Sequence, residues 1–246
     1  MVIFGAMKTT LYLIPTGLGG GEATDYLPAG VIRRLHSLTL FFVESVRTAR
    51  RFLRATGFEG DLSALRFHEL SEHTPPQETE ALLALLLSEG SAGLLSEAGL
   101  PAVADPGASL VALCHRHGVQ VVPLTGPSSL FLALMASGLN GQHFTFHGYL
   151  PRERQALVRA LREMERLARH EGSSHLFMET PYRNDRLFGE ILRCCHPDTL
   201  LCVAASLTTS TEFILTREIA AWKASGYMPG RQPVIFILGS QPGPRH

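Results

Sequence analysis

The segment formed by residues 96–107 concentrates residue types that can bind a small ligand. It reads Ser-Glu-Ala-Gly-Leu-Pro-Ala-Val-Ala-Asp-Pro-Gly and follows a predicted strand at residues 92–96. Small residues let backbone amides and carbonyls approach a ligand closely, and open α/β sheets bind ligands at the carboxyl ends of their strands. The carboxylate of Asp105 could accept a hydrogen bond from a ligand hydroxyl. Alternatively, Asp105 and Pro106 only begin a helix, since Asp-Pro is a common helix start.

A glycine-rich loop follows the first predicted strand. Residues 15–21 read Pro-Thr-Gly-Leu-Gly-Gly-Gly, so the backbone there can also lie close to a ligand. The loop does not match the dinucleotide-binding pattern, because Glu22 follows Gly19 three residues later and the next predicted helix begins only near Pro28. Glu44, at the end of the second predicted strand, could still contact a ribose hydroxyl. An NAD site and a merely flexible loop therefore both remain as alternatives.

Alternating strands and helices must position these loops. Short β-branched or aromatic runs alternate with helical segments up to about residue 137, which predicts βαβ units and a parallel sheet. After residues 138–141 the pattern changes, and two apolar runs flank residues 208–210 closely enough for an antiparallel hairpin. We therefore predict an α/β fold of two α/β domains, residues 1–141 with a parallel-type sheet and residues 142–246 with a mixed sheet. The predicted strands are 11–14, 39–43, 65–68, 92–96, 119–122, 144–147, 175–179, 200–205, 212–216 and 234–238.

Composition excludes several classes of protein. With 45% hydrophobic and 18% charged residues among 246, the chain is typical of a folded globular protein. No apolar run reaches the roughly 18 residues of a membrane span, and residues 1–8 lack the pattern of a secretory signal, so a cytoplasmic location is expected. The 22 basic and 22 acidic residues balance, which gives no net attraction for nucleic acid but allows a local patch. The four cysteines lack paired spacing, so neither a metal site nor a disulfide framework is predicted.

Several segments resemble the motifs of one known family, in the family's order. Residues 96–107 resemble S-D-A-G-T-P-x-x-S-D-P-G, residues 44–53 resemble E-D-T-R-x-T-x-x-L-L, and residues 123–129 resemble P-G-P-S. Weaker matches lie at residues 11–17, 72–73, 146–151 and 179–183. Over nearly its whole length the chain thus resembles the ribosomal-RNA small-subunit methyltransferase I family, within the tetrapyrrole methylase superfamily.

The resemblance implies a cofactor and an assembly. It implies that S-adenosylmethionine (SAM) binds in the cleft between two α/β domains, largely through backbone groups, and that the protein is a homodimer. Because SAM carries its reactive methyl group on a cationic sulfur, the protein mainly has to align the acceptor and exclude water. The implied SAM-binding residues are Gly17, Ser96, Asp105, Ala108, Ser128, Ser129, Met178, Ala205 and Pro233.

The resemblance also implies ribosomal RNA, or the small ribosomal subunit, as the substrate, with a ribose 2′-hydroxyl as the preferred acceptor. A hydroxyl needs a base, and Glu44 and Glu179 are the catalytic candidates. Each could instead form an ion pair within one helical turn, Glu44 with Arg47 and Glu179 with Arg183. Arg47, Arg50 and Arg183 are the predicted substrate-binding residues.

A second group of arginines gives a weaker indication of RNA binding. Along the predicted helix 152–170 four arginines share one face, which could contact phosphates or simply be solvated beside Glu163 and Glu165. These arginines are Arg159, Arg162, Arg166 and Arg169.

The chain departs from the family motifs on the presumed substrate side. Glu97 replaces an aspartate and Leu100 a threonine, and positions 45, 46 and 49 also differ. The cofactor half of the resemblance is therefore better supported than the substrate half. Two other functions stay open: methylation of a small molecule such as a precorrin, and nucleotide binding without catalysis.

Overall fold

The computed structural model describes residues 9–240, so the N-terminal segment examined for a signal and residues 241–246 lie outside the described residues. The chain divides into two compact units, the first ending at Ser128 and the second beginning at Ser129. Within residues 9–240, no helix has the length and apolar character needed to cross a membrane.

The first unit is built around a parallel sheet of five strands in the order β3-β2-β4-β1-β5. The strand β2 is apolar and buried along its length, as expected for the inside of a parallel sheet. The strands are β1 (Thr10–Leu13), β2 (Leu40–Val43), β3 (Arg66–Glu69), β4 (Ser91–Leu95) and β5 (Gln120–Pro123). The helices are α1 (Ala23–Tyr26), α2 (Ala29–His36), α3 (Val46–Ala55), α4 (Pro76–Glu89) and α5 (Ala108–Arg116).

Helices cover both faces of this sheet. Successive side chains of a strand point to opposite faces, so Phe41 and Phe42 belong to different apolar clusters. Phe42 packs with residues of α4 and α5, whereas Phe41 packs with residues of α2 and α3. Helix α3 begins after Ser45, whose Oγ accepts a hydrogen bond from the Thr48 amide at 3.3 Å. Burial of both faces therefore fixes the register of the sheet and the position of every loop at its carboxyl edge.

The second unit contains a mixed sheet in the order β6-β7-β10-β8-β9. Only β6 and β7 are parallel, and β10 runs antiparallel to both of its neighbours. The strands are β6 (Phe144–Tyr149), β7 (Ser174–Met178), β8 (Leu200–Ala205), β9 (Phe213–Glu218) and β10 (Val234–Gly239). The helices are α6 (Ser129–Ser137), α7 (Arg154–Glu171), α8 (Asn184–Cys194) and α9 (Ile219–Ser225), with a 3-10 turn at Pro181–Arg183 before α8.

Helix α6 belongs to the second unit, although the predicted boundary lay after residue 141. It contacts β8, β9 and β10, and the hydroxyl of Thr216 on β9 donates a hydrogen bond to the Ser137 carbonyl at 2.7 Å. The division therefore falls before this helix and not at residues 138–141. The glycine and asparagine residues at 138–141 mark the end of α6, but only tertiary packing shows to which unit the helix belongs.

An aromatic cluster forms part of the core of the second unit. The indole of Trp222 donates a hydrogen bond to the Leu201 carbonyl at 2.9 Å and contacts the rings of Phe188, Phe213 and Tyr227. Buried aromatic groups contribute large apolar areas, and the hydrogen bond satisfies the polar end of the indole. The prediction of two α/β domains with a parallel and a mixed sheet is confirmed, including the hairpin of β8 and β9.

Candidate functional site

The two loops singled out from the sequence meet at the carboxyl edge of the parallel sheet. The Thr16 amide donates to the Gly99 carbonyl at 2.9 Å, and the Thr16 hydroxyl donates to the Ser96 carbonyl at 3.4 Å. Strands β1 and β4 are neighbours, so the loops that leave them begin side by side. This pairing joins the glycine-rich loop to the loop of residues 96–107.

The loop of residues 96–107 has an unusual backbone. Ala102 and Ala104 have φ values of 64° and 59°, in the left-handed region that non-glycine residues rarely adopt. At Gly107 φ is 119°, and a Cβ there would lie 2.6 Å from the buried Leu94 side chain. Strained backbone of this kind persists only where the surrounding packing holds it in place, and it is found most often at ligand and active sites. The geometry therefore agrees with a ligand-binding loop.

Asp105 is not the helix cap that the Asp-Pro pair could have supplied. Helix α5 begins at Ala108, its N-cap position is Gly107, and no side chain caps it. The pKa of the Asp105 carboxyl is raised to about 6, mainly by burial and also by the negative charges of Glu44 and Glu97, while a contact from the Ser96 hydroxyl acts in the opposite direction. Asp105 is therefore a half-buried carboxylate at the edge of the sheet that does not cap helix α5.

Glu44 and Glu97 lie beside this carboxylate. The Glu97 amide donates to the Glu44 carboxylate at 3.3 Å, and the Thr48 hydroxyl donates to the Glu97 carboxylate at 3.4 Å. Within residues 9–240 Glu44 forms no ion pair with Arg47, so its alternative structural role is not observed. We call Glu44, Glu97 and Asp105 the carboxylate cluster. No group of three acidic, histidine or cysteine side chains in the described part of the chain is arranged to hold a metal ion.

A pocket of about 390 Å³ opens between the glycine-rich loop, α3 and the end of β4. Gly17 lines it, and a Cβ at Gly17 would lie 2.7 Å from the Tyr26 hydroxyl, so a side chain there would require the Tyr26 ring to shift. The residues that line the pocket are Thr16, Gly17, Leu18, Gly19, Gly20, Gly21, Tyr26, Thr48, Ala49, Arg51, Phe52, Ala55, Leu95, Ser96, Glu97 and Ala98. Of the predicted cofactor residues, Gly17 and Ser96 thus share one pocket.

The arginines of α3 have different surroundings. The Arg50 guanidinium lies over the Phe67 ring, 5.4 Å from its centroid, and Arg47 is exposed at the start of the helix. Arg51, which is not among the predicted substrate-binding residues, lines the pocket. Helical spacing could have shown this, because Thr48, Arg51, Phe52 and Ala55 recur at i, i+3, i+4 and i+7 and so share a face.

Three predicted residues come together at one edge of the second sheet. Met178 ends β7, Ala205 ends β8, and both pair with the start of β10, which follows Pro233. The amide of Ser206 donates to the Pro233 carbonyl at 2.9 Å. Because β10 is antiparallel to both neighbours, its first residues lie beside the last residues of β7 and β8.

Glu179 and Arg183 form the ion pair that was the predicted alternative to a catalytic role for Glu179. The Glu179 carboxylate accepts hydrogen bonds from the Arg183 guanidinium and, at 2.8 Å, from the Thr180 amide. Glu179 is buried. These contacts explain both residues as parts of the turn that precedes α8.

The remaining predicted residues occupy loop and helix positions. Ala108 is the exposed first residue of α5, directly after the loop of residues 96–107. Ser128 is the last residue of the first unit, and Ser129 is the first residue of α6.

The arginine face of α7 is partly neutralised. Arg166 pairs with Glu163 at 2.6 Å, and Arg169 pairs with Asp198. Both ion pairs are solvent-exposed, which is typical of a solvated helix face and contributes little to binding a polyanion. The structure therefore favours the solvated interpretation of this face.

The chain matches one family model and is similar to several named proteins. Residues 10–221 match the model of the family described as Tetrapyrrole (Corrin/Porphyrin) Methylases. Ribosomal RNA small subunit methyltransferase I of Vibrio cholerae is 32% identical over 211 residues, which cover 85% of this chain and 69% of that protein. The protein of the same name from Mesorhizobium japonicum is 30% identical over 237 residues, covering 94% and 76%.

Solved structures show the same fold at low identity. The methyltransferase CobJ superimposes with a TM-score of 0.61 at 18% identity, covering 96% of this chain and 95% of that chain. Uroporphyrin-III C-methyl transferase from Thermus thermophilus, complexed with S-adenosyl homocysteine, gives a TM-score of 0.58 at 20% identity, covering 94% and 97%.

Proposed function

Because the chain belongs to the tetrapyrrole (corrin/porphyrin) methylase family, we propose that it is a SAM-dependent methyltransferase acting on a ribose 2′-hydroxyl of small-subunit ribosomal RNA. The choice of RNA over a tetrapyrrole follows relatives that are 30–32% identical and are named ribosomal RNA small subunit methyltransferase I. The structural observation that carries the proposal is the carboxylate cluster at the carboxyl edge of the parallel sheet.

The residues of the first unit suit SAM. When bound, SAM supplies a methyl group on a positively charged sulfur. A carboxylate such as Asp105 can accept a hydrogen bond from a ribose hydroxyl or lie close to a cation, and the small Ala98 and Ala108 side chains leave main-chain groups accessible. In the second unit, Met178, Ala205 and Pro233 form an edge that would offer main-chain contacts.

The carboxylate cluster can accept a proton from a hydroxyl acceptor. A hydroxyl is a poor nucleophile while protonated, and a base is most effective when its pKa lies near the working pH. Burial and the neighbouring Glu44 and Glu97 bring the pKa of Asp105 to about 6, closer to that range than an ordinary aspartate. Asp105 would thus remove the proton, while Glu44 would keep the pKa of Asp105 high. This assigns Glu44 a positioning role next to the base.

Transfer of a labelled methyl group tests the function directly. Small ribosomal subunits from a strain lacking this protein are incubated with it and with methyl-labelled SAM. We expect label in ribosomal RNA, at a nucleotide that resists alkaline cleavage because its 2′-oxygen carries a methyl group. Label found only in small molecules would support the precorrin-type alternative. Binding of nucleotides with no methyl transfer to any acceptor would support the non-catalytic alternative.

We also propose a homodimer that works in the cytoplasm, where its RNA substrate is made. The proposal of a dimer derives from the family resemblance. Sedimentation equilibrium should give twice the chain mass of 26.9 kDa. A single species at the chain mass across the concentration range would contradict it.

A further inference from the structure

We propose that the pocket beside α3 receives one nucleotide of the RNA, with Arg51 contacting its phosphate and the rings of Tyr26 and Phe52 contacting its base. This inference rests on the proposed function, since it names the part of the RNA that one pocket would hold. It goes beyond the family motif, because position 51 is an unspecified position in the E-D-T-R-x-T-x-x-L-L pattern.

Arg51 offers an available positive charge. Among residues 9–240, six arginines lie within 4.0 Å of a carboxylate, and Arg51 is not one of them. Arg50 lies over Phe67, and Arg54 donates to the carbonyls of Phe58 and Gly60, so these two arginines of α3 are engaged elsewhere. A guanidinium with free donors matches the oxygens of a phosphate in a bidentate arrangement.

Aromatic and apolar side chains form another part of the pocket wall. The half-buried Tyr26, the buried Phe52 and the nearby Leu18 and Leu95 all line it. Aromatic rings contact any base because every base has a π face, so this wall suits a nucleotide without demanding one sequence. Gly19, Gly20 and Gly21 of the glycine-rich loop also line the pocket and add no side chains to it, which leaves room for a base.

The third part of the wall is acidic and leads to the carboxylate cluster. Ser96 and Glu97 line the pocket, and the Ser96 hydroxyl also contacts Asp105. A cation, an aromatic surface and a hydroxyl-binding acidic edge in one cavity match the phosphate, base and ribose of a nucleotide. A cavity of about 390 Å³ is at the small end of ligand pockets, which suits one nucleotide better than a macrocycle of four pyrrole rings.

Steady-state methylation of small subunits compares Arg51→Gln with a matched control, Arg116→Gln. Arg116 is exposed in the last turn of α5, which returns to the amino edge of the parallel sheet, opposite the pocket. We expect Arg51→Gln to raise KM for RNA about tenfold or more, with kcat, SAM affinity and melting temperature unchanged. Arg51→Lys should recover part of the loss. Equal KM values for Arg51→Gln and Arg116→Gln would overturn the role of Arg51.

Binding of a short single-stranded oligoribonucleotide tests the pocket without turnover. The salt dependence of binding should fall by about 0.7 in logarithmic slope on Arg51→Gln, as for one lost phosphate contact. Tyr26→Ala should weaken binding and Tyr26→Phe should restore it, because the ring and not the hydroxyl contacts the base. If the wild type binds RNA in this way but transfers no methyl group to it, the proposed function fails and the pocket stands. If Arg51→Gln and Tyr26→Ala bind as the wild type does, the pocket proposal fails.

Discussion

At the scale of single residues, the behaviour of Asp105 depends on its neighbours more than on its own type. An aspartate before a proline usually begins a helix, yet here it lies two residues before the cap position, with Glu44 and Glu97 close by. The negative charges of Glu44 and Glu97 raise the free energy of the charged state of Asp105. Carboxyl groups with strongly shifted pKa values occur mainly at binding and catalytic sites. Substitution of Asp105 therefore discriminates best between a catalytic role and a role in cofactor binding.

Asp105→Asn separates catalysis from cofactor binding. The amide keeps the size of the side chain but cannot accept a proton, so we expect kcat for methyl transfer to fall by about 10²-fold or more. SAM affinity, measured by calorimetry, should change little if Asp105 is the base. A large loss of SAM affinity with kcat retained at saturating SAM would instead show the cofactor contact implied by the family resemblance.

The same substitution should change the dependence of stability on pH. The folded-state pKa of about 6 exceeds the reference value of 3.8, so the folded protein holds the proton more tightly and loses stability as pH rises through this range. Asp105→Asn removes this loss. We expect it to be more stable than the wild type by about 1 to 2 kcal/mol near pH 8, after allowance for partial solvent exposure, with the gain vanishing near pH 4.

Urea unfolding of both proteins at the two pH values measures this difference. Asp105→Glu, which keeps a carboxylate, serves as the control for the position itself. A variant Asp105→Asn that is less stable than the wild type at both pH values would contradict the prediction.

At the scale of elements, the loop between β4 and α5 is held in one shape by its tight packing. Gly107 combines a φ of 119° with close contact to Leu94, whereas Gly118, after α5, has a φ of 67° and open space around it. Both positions disfavour a side chain, but only the first would also create a clash in the core. Substitutions at Gly107 and Gly118 therefore measure how strongly packing against β4 fixes the conformation of the loop.

Gly107→Ala should reduce the free energy of unfolding by about 3 kcal/mol, and Gly118→Ala by about 1 kcal/mol. The difference reflects the overlap with Leu94, which is buried and cannot move freely. Unfolding should be followed by circular dichroism, because Trp222, the only tryptophan, lies in the second unit. If the two variants lost equal amounts of unfolding free energy, the Leu94 side chain would have adjusted and only backbone strain would destabilise the protein.

The strands could be predicted from the sequence, but the short helix α1 and the detailed site could not. Helix α1 (Ala23–Tyr26) lies before the helix start predicted near Pro28. Apolar runs and helix starts indicated all ten strands, because burial leaves a local pattern in the sequence. The meeting of Glu44 with Glu97 depends on β2 and β4 being neighbours, which no local pattern reports. The position of Arg51 in the pocket follows from helical spacing, since Thr48, Arg51, Phe52 and Ala55 share one face of α3.

At the scale of the whole molecule, the family relation predicts which small molecules stabilise the fold. A ligand that binds only the folded state adds RT ln(1 + [L]/Kd) to its stability, or about 2.7 kcal/mol at 100 times Kd. We expect S-adenosylhomocysteine to raise the melting temperature and NAD to leave it unchanged, because the glycine-rich loop lacks the dinucleotide pattern. A thermal shift with NAD and none with S-adenosylhomocysteine would contradict the cofactor assignment.

The place of β10 in the second sheet has a consequence for biosynthesis. This strand lies between β7 and β8, although both are made well before residues 234–239. While the nascent chain grows, β7 and β8 each present an open edge of amides and carbonyls, ready to pair with any other strand. The second sheet can be completed only when β10 has left the ribosome. Until then the partly synthesised second unit is the stage most exposed to aggregation and most in need of chaperones.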